Sequence, residues 1–342
     1  GWRWRSFAKG EILGVDRSDP VALVGDVGGT NCRLALMSRD GAPLARWRCG
    51  TEDFPGPEEA IKAFLATQQA LLREHPVNDA AMAIAAPTGV DRVQLTNSPW
   101  RFDRHELKHS LGVRRFLLIN DLAAQARAVM DAPAGYLEPI GGAPLTALSG
   151  VVAVVGPGTG LGVARLDMTS RHVAATEGGH VGFAPNDDLE LASLQIWRSE
   201  LGRVTNEHVV SGPGLVRVFE ALAEVRGAPV AAIDGPEIMR RALADLDPIC
   251  VETVDRFARI LGAVCADIVL AQGADSLALV GGIPEAMLPI LRRGGFRERF
   301  EQRGPGGAYL ASAPSVLVAM PDLGLRGALA CLQDADAVEE HS

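Results

Sequence analysis

The chain has 342 residues, which is enough for two domains or for one large α/β unit. Hydrophobic residues make up 47%, Gly is abundant with 38 residues and aromatic residues are few, a composition that favours an α/β protein over an all-β sandwich. The 33 basic and 42 acidic residues give a net charge of −9, which argues against binding to nucleic acid or to an anionic membrane.

The cysteines and the apolar segments argue against an exported or membrane-bound protein. None of the five cysteines forms a C-x-x-C pair, which favours reduced thiols in a cytoplasmic protein over disulfides or zinc ligands. No apolar run reaches roughly 18 residues without a charge or a turn signal, so we expect no membrane span. The basic N-terminus lacks the apolar stretch of a secretory signal, and residues 1–19 are predicted to form a flexible tail.

Apolar runs bounded by proline and glycine predict alternating strands and helices from residue 21 onward. In the first part of the chain these are strands at 21–24 and 33–37, a helix at 58–74, strands at 80–86 and 116–119, and a helix at 122–130.

The rest of the chain continues the alternation with a larger share of helix. It predicts strands at 151–155 and 161–166, helices at 189–201, 214–225, 236–246 and 248–272, strands at 276–280 and 317–320, and a closing helix at 324–334. This pattern predicts an α/β fold with a mostly parallel sheet and ligand sites at the strand ends.

Two glycine-rich turns, each between a pair of apolar strands, are the most informative feature of the sequence. The first, which follows Gly25, is Asp26-Val27-Gly28-Gly29-Thr30-Asn31, and the second is Gly156-Pro157-Gly158-Thr159-Gly160-Leu161-Gly162, about 130 residues later. The repetition predicts two related α/β halves. The backbone N–H groups of such turns can hold phosphate, because glycine permits positive φ and close approach, and Thr30 and Thr159 each add a hydroxyl donor.

Phosphate motifs that depend on lysine are excluded. The three lysines are Lys9, Lys62 and Lys108; none follows a glycine, which excludes a P-loop, and none lies in the V-A-I-K strand of a protein kinase. The second glycine turn is not a Rossmann fingerprint, because position 161 is Leu and a strand follows. At the end of the first strand, Asp26 can hold the Mg²⁺ of Mg-ATP through water.

Asn120 and Asp121 follow the strand predicted at 116–119. Asp121 has two interpretations that the local sequence does not separate. It caps the helix that follows, or it is a carboxylate at the carboxyl end of a strand that accepts the proton of an attacking hydroxyl during in-line phosphoryl transfer.

The segment Glu177-Gly178-Gly179-His180 reads as a loop that presents two polar side chains. A metal site lacks a third ligand at convincing spacing. A carboxylate and an imidazole together suit a hydroxyl-rich ligand, because each shares hydrogen bonds with OH groups. Glu207, ahead of the turn that contains Ser211, is by itself a surface glutamate.

In their order along the chain these motifs closely resemble the bacterial glucokinases, within the hexokinase and actin-like ATPase superfamily. The resemblance covers about residues 21 to 331. It rests on the turn at Asp26–Asn31, Ile119-Asn120-Asp121-Leu122, the turn at Gly156–Gly162, Glu177-Gly178-Gly179-His180-Val181-Gly182-Phe183-Ala184-Pro185, Glu207 with Val210-Ser211-Gly212-Pro213-Gly214, and Gly281-Gly282-Ile283.

The resemblance implies a two-domain actin-like ATPase (ribonuclease H-like) fold with a central cleft, with residues 20–130 and 321–342 in a small domain and 131–320 in a large one. It implies ATP and Mg²⁺ as cofactors, with the phosphates at the two glycine turns and adenosine near Gly281 and Gly282. It implies a cytoplasmic homodimer that phosphorylates glucose. The implied glucose-binding residues are Asn97, Asn120, Asp121, Glu177, His180 and Glu207, with Asp121 as the base for the 6-hydroxyl.

Glucose and water are similar nucleophiles, so we expect the sugar to close the cleft before the site is complete. The chain departs from the family at Cys32, where Ala is usual, and at Pro157, Gly182 and His208, where a small residue, Asp and Arg are usual. Cys32 leads to the hypothesis that oxidation beside the phosphate turn inhibits the enzyme.

Three alternatives are weighed against this interpretation. A transcriptional regulator with a kinase fold is disfavoured, because about 25 residues precede Asp26, too few for a helix-turn-helix domain, and the cysteine-rich zinc motif of repressor-type relatives is absent. A catalytically silent sugar sensor is disfavoured by the presence of the candidate base and of both phosphate turns. A kinase for another hexose or an amino sugar stays open.

Overall fold

The computed structural model describes residues 21–95, 98–145 and 147–340. The tail predicted at 1–19 and the predicted sugar-binding residue Asn97 lie outside the described residues. The strands are β1 (Val21–Val27), β2 (Asn31–Met37), β3 (Pro43–Gly50), β4 (Val77–Ile84), β5 (Arg92–Gln94), β6 (Arg101–Asp103), β7 (Arg115–Asn120), β8 (Leu137–Gly141), β9 (Val151–Pro157), β10 (Leu161–Asp167), β11 (His172–Thr176), β12 (Ser276–Leu279) and β13 (Ser315–Val318).

The helices alternate with these strands and dominate the second half of the chain. They are α1 (Pro57–Thr67), α2 (Gln69–Glu74), α3 (Arg104–Leu111), α4 (Asp121–Val129), α5 (Asp188–Leu201), α6 (Asn206–Val209), α7 (Gly212–Arg226), α8 (Gly235–Leu243), α9 (Pro248–Gln272), α10 (Gly282–Ala286), α11 (Leu288–Leu291), α12 (Gly295–Glu301), α13 (Gly307–Ser312) and α14 (Leu323–Glu340). In the described part of the chain, no helix has the length and apolarity needed to cross a membrane.

The chain divides into two compact units. The first contains the described residues 21–124 and 324–340, and the second is Gln125–Leu323. The first unit has a five-stranded sheet in the order β3-β2-β1-β4-β7, and the second a six-stranded sheet in the order β11-β10-β9-β12-β13-β8. A separate two-stranded ribbon, β5-β6, belongs to the first unit.

The prediction of a mostly parallel sheet is wrong. In the first sheet β1, β4 and β7 are parallel, but β2 is antiparallel to both β1 and β3. In the second sheet β9, β12 and β13 are parallel, whereas β10, β11 and β8 pair antiparallel. The physical reason is that short connections such as β1–β2 and β9–β10 can only join antiparallel neighbours.

The two sheets share one arrangement. Each contains a glycine hairpin, β1–β2 or β9–β10, extended by an antiparallel third strand, β3 or β11. In each, the first strand of the hairpin is followed by two parallel strands, β4 and β7 or β12 and β13. The predicted relation between the two halves is therefore confirmed at the level of sheet topology.

The first apolar run of the sequence forms β1, the central strand of the first sheet. It is apolar on both sides because both faces of the strand are buried. Leu23 and Val27 face a cluster that includes Phe64 of α1. Val24 faces the opposite cluster, which includes Leu325 and Leu329 of α14. The closing helix thus covers one face of the first sheet.

Helix starts in the second unit follow strong capping signals. Ser211, Asp234 and Asp247 are the N-cap residues of α7, α8 and α9, and their side chains accept hydrogen bonds from backbone N–H groups of the first turn. A proline lies in the first turn of each helix, where its missing N–H costs nothing. The predicted helices at 214–225, 236–246 and 248–272 are confirmed to within a few residues at their ends. The helix predicted at 58–74 is two helices, α1 and α2, divided at Gln68.

Candidate active site

The first glycine turn is shorter than its motif. Strand β1 runs to Val27, paired with Cys32 of β2, so Gly25, Asp26 and Val27 are strand residues and only Gly28, Gly29 and Thr30 form the loop. The N–H of Gly28 donates to the carbonyl of Asn31 at 3.0 Å and closes the hairpin. The loop residue Thr30 is exposed, whereas Gly29 is buried.

Asp26 lies in β1 beside this loop and is half-buried. The guanidinium of Arg33, its cross-strand neighbour in β2, donates to Asp26 Oδ2 at 3.1 Å. The first turn of α14 lies against the same carboxylate, because a Cβ on Gly324 would be 2.6 Å from Asp26 Cγ. A carboxylate engaged by a guanidinium is a poor direct metal ligand, but it can still bind the water shell of Mg²⁺. No cluster of three His, Cys, Asp or Glu residues suited to a metal occurs within the described ranges.

Asn120 and Asp121 lie at the same edge of the first sheet as the turn. Ile84 of β4 pairs with Val27 on one side and with Asn120 on the other, so the three residues form one row across parallel strands. Neighbouring strands are about 4.8 Å apart, which places Asn120 two strand spacings from the hairpin.

The cap of α4 is Asn120 rather than Asp121. The side-chain oxygen of Asn120 accepts the N–H of Ala123 at 3.0 Å, which orients the amide nitrogen away from the helix backbone. Asp121 is the first residue of α4, and its Oδ1 accepts the N–H of Leu122 at 2.8 Å. Burial raises the pKa of the Asp121 carboxyl, and the hydrogen bonds from the N–H groups of Leu122 and of Asp121 itself oppose the rise only in part.

The second glycine turn has the same construction. Gly156 lies inside β9, where it pairs with Gly162 of β10, and only Gly158, Thr159 and Gly160 form the loop. The N–H of Gly158 donates to the carbonyl of Gly160 at 2.8 Å and closes the hairpin.

Two further glycine segments of the same unit lie against this turn. The N–H of Gly212, at the start of α7, donates to the carbonyl of Gly158 at 2.7 Å. Gly281 follows β12 and has a φ of 96°, a conformation that favours glycine, and a Cβ on it would lie 3.6 Å from the carbonyl of Pro157. The second turn, the start of α7 and the Gly281-Gly282 segment therefore form one surface of exposed backbone.

Glu177 precedes a single 3-10 turn, Gly178–His180, that ends at His180, and both side chains are exposed. His180 Nε2 is 3.6 Å from Glu177 Oε2. Packing requires glycine at position 179, because a Cβ on Gly179 would lie 2.2 Å from the carbonyl oxygen of Leu161. The predicted segment that presents two polar side chains is confirmed.

Glu207 is not an isolated surface glutamate. It lies in the short helix α6, and its Oε2 accepts the N–H of Leu161 at 2.9 Å, directly after the second turn. The N–H of Asn206, also in α6, donates to the carbonyl of Val181. Leu161 therefore connects three features of the second unit: the glycine turn, Glu207 and the segment that carries Glu177 and His180.

Two of the family departures have clear surroundings. His208 Nδ1 accepts the N–H of Thr205 at 3.1 Å and so caps α6. Cys32 is completely buried and lies opposite Cys49 of β3. Burial raises the pKa of the Cys32 thiol and the neighbouring Cys49 raises it further, so the reactive thiolate is scarce at neutral pH. Inhibition by oxidation stays a prediction.

Sequence reasoning missed the contacts that hold the first turn. Thr51, which follows β3, and Arg48 within β3 both hydrogen-bond to it, and neither belongs to a motif. The available signal was the alternation of Arg46, Trp47 and Arg48 ahead of a glycine, which is typical of a half-exposed strand.

The sheet topology, with a glycine hairpin at the centre of each unit, defines a protein of the actin-like ATPase fold. A glucokinase from an Antarctic psychrotroph has a similar structure, with a TM-score of 0.78 and 32% identity over 92% of this chain and 99% of that one. A ROK family glucokinase from Streptomyces griseus shares the fold, with a TM-score of 0.64 and 21% identity over 91% of this chain and 98% of the other.

The sequence comparisons identify the family within that fold. A family model described as Glucokinase matches residues 23–335. A glucokinase from Stenotrophomonas maltophilia (strain R551-3) is 37% identical over 332 residues, which cover 93% of this chain and 96% of the relative. The chain belongs to the glucokinase family and is an enzyme.

Proposed function

We propose that this enzyme transfers the γ-phosphoryl group of Mg-ATP to the 6-hydroxyl of D-glucose, giving glucose 6-phosphate and ADP, with Asp121 as the general base. The observation that carries the proposal is the position of Asp121, a half-buried carboxylate with a raised pKa. It directly follows Asn120, which lies in one row across the sheet with Val27, the last residue of β1 before the first glycine turn. A raised pKa brings a carboxylate closer to the value at which it can accept a proton near neutral pH.

ATP is proposed to bind with its phosphates against the two glycine turns, at Gly25, Asp26, Val27, Gly28, Gly29, Thr30 and Asn31, and at Gly156, Gly158, Thr159 and Gly160. Backbone N–H groups suit this role because they are fixed dipoles that need no lysine. Adenosine is assigned to Gly281 and Gly282, where an added Cβ on Gly282 would meet no atom within 4 Å. Support comes from the Streptomyces griseus glucokinase of the same fold, whose structure contains glucose and AMPPNP.

Mg²⁺ would arrive with ATP, bound mainly by phosphate and water. The Asp26 carboxylate fits the outer part of this shell, since Arg33 already neutralises it and direct ligation would displace that contact. Mg²⁺ commonly keeps several waters and takes only one or two carboxylates from a protein. The metal would neutralise charge on the transferring phosphoryl group.

Glucose is proposed to bind to Asn97, Asn120, Asp121, Glu177, His180 and Glu207. Their chemistry is complementary to sugar hydroxyls: Asn120 has its amide nitrogen left to donate, because its oxygen caps α4. Glu207 keeps one oxygen for the sugar, because Oε2 accepts from Leu161. The paired Glu177 and His180 can share hydrogen bonds with adjacent hydroxyl groups.

In the proposed reaction, Asp121 takes the proton from the 6-hydroxyl while O6 forms a bond to the γ-phosphorus. The bond from the γ-phosphorus to the bridging oxygen breaks on the opposite side, and ADP leaves with that oxygen. The glycine turns stabilise charge on the phosphoryl oxygens through fixed N–H groups.

The family resemblance also leads us to propose a cytoplasmic homodimer. Sedimentation equilibrium tests the oligomeric state, and a measured mass equal to that of one chain contradicts the dimer.

The test is turnover of the pure enzyme with Mg-ATP and a panel of hexoses and amino sugars, followed as ADP formation. We expect glucose to be the preferred acceptor and Asp121→Asn to lower kcat by about a thousandfold while glucose still binds. Asp103→Asn is the matched control, because Asp103 also accepts N–H groups at a helix start but lies at the N-terminus of α3. Full activity of Asp121→Asn contradicts the assigned base, and preference for another sugar contradicts the assigned substrate.

A further inference from the structure

Arg48 of β3 and Thr51, which follows the strand, hold the first glycine turn through two separate sets of hydrogen bonds. Thr51 is completely buried, and its hydroxyl donates to the carbonyl of Gly29 at 2.8 Å. The N–H of the same residue donates to the carbonyl of Thr30 at 3.1 Å. One residue therefore binds two consecutive carbonyl groups of the loop.

These two bonds determine which way the loop amides point. In a trans peptide the N–H lies opposite the preceding carbonyl, and the described chain has no cis peptide bond. Because the carbonyls of Gly29 and Thr30 face Thr51, the N–H groups of Thr30 and Asn31 face away from it. Two successive N–H donors thus lie on the side of the loop opposite Thr51, and successive backbone N–H groups of this kind can bind an anion.

The side chains of the turn are ordered by a second set of bonds. Arg48 Nη2 donates to Asn31 Oδ1 at 2.8 Å, and Asn31 Nδ2 donates to Thr30 Oγ1, also at 2.8 Å. The direction of this chain follows from chemistry, because a guanidinium can only donate and so requires the amide oxygen of Asn31 to face it. The amide nitrogen then faces Thr30, whose oxygen must accept, which leaves the Thr30 hydroxyl proton to be donated elsewhere.

We propose that Thr51 and Arg48 are positioning residues for phosphate: Thr51 directs the backbone N–H groups of the first turn, and Arg48, through Asn31, directs the hydroxyl proton of Thr30 outward. The proposal rests on the proposed binding of ATP phosphates at this turn. Neither residue is assigned to touch the nucleotide. Donors that are already oriented before binding lose little conformational entropy when the phosphate arrives, so both residues contribute to nucleotide affinity.

The backbone half is tested with Thr51→Val, which keeps the shape of the side chain and removes its hydroxyl. We expect kcat/KM for ATP to fall about tenfold, because the Gly29 carbonyl loses a buried partner and the turn loosens, while KM for glucose changes less than twofold. Thr51→Ser restores the hydroxyl and is expected to recover most of the loss. The matched control is Thr253→Val, since Thr253 is equally buried in α9 and its hydroxyl makes no hydrogen bond within the described residues.

The side-chain half is tested with a double-mutant cycle at Arg48, which is exposed, and Asn31, which is half-buried. Arg48→Met alone is expected to raise KM for ATP about fivefold, a loss typical of one solvent-exposed hydrogen bond. In the Asn31→Ala background the same change is expected to have no further effect, because Arg48 acts through Asn31. Arg46→Met removes one positive charge from the same strand and is expected to change KM for ATP less than twofold.

The outcomes separate this inference from the proposed function. If the unmodified enzyme turns over and the ATP kinetics of Thr51→Val and Arg48→Met are unchanged, the positioning roles are wrong and the proposed function is unaffected. Additive effects of Arg48→Met and Asn31→Ala overturn the route through Asn31, since they mean that Arg48 contacts ATP directly. Absence of both turnover and Mg-ADP binding in the unmodified enzyme overturns the proposed function and this inference together.

Discussion

Asp121 differs from Asp187, the N-cap residue of α5, in what surrounds its carboxylate. Burial also acts to raise the pKa of Asp187, but the N–H of Glu190 and the guanidinium groups of Arg299 and Arg256 outweigh it and lower that pKa to about 2. At Asp121 burial prevails and the pKa is raised. The surroundings of Asp187 stabilise its charged form. The surroundings of Asp121 instead bring its pKa closer to neutral pH, which is the direction that the proposed role of general base requires.

The raised pKa predicts that Asp121→Asn stabilises the fold at neutral pH. A carboxyl whose pKa is higher in the folded state favours folding below its unfolded pKa of 3.8, and this contribution is lost as pH rises through the folded value. The variant should therefore have a higher Tm at pH 7, and the difference should shrink as pH falls through the pKa of Asp121. Asp103→Asn should lower Tm at pH 7, because N–H groups of Glu106 and His105 lower the pKa of Asp103. A lower Tm for Asp121→Asn contradicts the burial argument.

The same shift predicts the acid limb of the pH–rate profile. Only ionised Asp121 accepts a proton, so kcat/KM for glucose should fall as pH decreases through a pKa above the usual 3.8 of aspartate. The profile is measured with a stopped assay from pH 4 to 8, after separate checks that the protein stays folded. If the residual activity of Asp121→Asn shows the same acid limb as the unmodified enzyme, a group other than Asp121 controls the fall in kcat/KM.

At the scale of elements, a hairpin turn and a helix start each pack closely against a carboxylate of the candidate site. In the second unit a Cβ on Gly160 would lie 2.4 Å from Glu207 Oε2, and in the first a Cβ on Gly324 would lie 2.6 Å from Asp26 Cγ. Both glycines bring backbone close to a side chain that is proposed to bind a ligand. Their replacement should therefore affect ligand binding more than folding, because a carboxylate side chain can move aside.

Gly160→Ala is predicted to displace the Glu207 carboxylate and break its bond with the N–H of Leu161. We expect KM for glucose to rise about tenfold, in line with the loss of one or two hydrogen bonds, while Tm falls by a few degrees. Gly135→Ala is the control in the same unit, because its Cβ would meet no atom within 4 Å. An unchanged KM for glucose in Gly160→Ala contradicts the role of Glu207.

Gly324→Ala is predicted to push Asp26 away from the start of α14. The outer shell of Mg²⁺ would lose its carboxylate, so the Mg²⁺ concentration needed for half-maximal rate should rise severalfold at fixed ATP. Titration of activity with MgCl₂ measures it, and Gly89→Ala, with open space around its Cβ, is the control in the first unit. If the Mg²⁺ requirement does not change, Asp26 has no part in metal binding.

Local chemistry explains which elements could be predicted. The glycine hairpins and α7 to α9 carry their own signals, namely glycine doublets and caps followed by proline. Strands β3 and β11 could not be predicted, because charged or exposed residues interrupt their apolar pattern and their partners supply most of the pairing. The missing strands also made the sheets look more parallel than they are.

Within the candidate site, residue types could be predicted but their connections could not. Glu177 and His180 are three residues apart, and the glycines between them reveal a turn. The bond between Glu207 and Leu161 joins residues 46 positions apart, so no local pattern encodes it. The same holds for Thr51, whose hydroxyl reaches Gly29 across the sheet edge.

At the scale of the whole molecule, one arrangement occurs twice. Each unit has a glycine hairpin followed by two parallel strands, and each hairpin is held by a residue from elsewhere in its own unit, Thr51 in the first and Gly212 in the second. The two hairpins are alike in construction, whereas the proposed base, Asp121, follows β7 of the first unit.

The most direct test of the central claim is the position of the phosphoryl group after reaction. The enzyme is incubated with Mg-ATP and ¹³C-labelled glucose, and the product is examined by ³¹P and ¹³C NMR. The account predicts one equivalent of ADP for each phosphorylated glucose, with phosphorus coupled to C6 and no transfer to 6-deoxyglucose. Phosphorus on any other carbon, or ADP formation without a phosphorylated sugar, would contradict it.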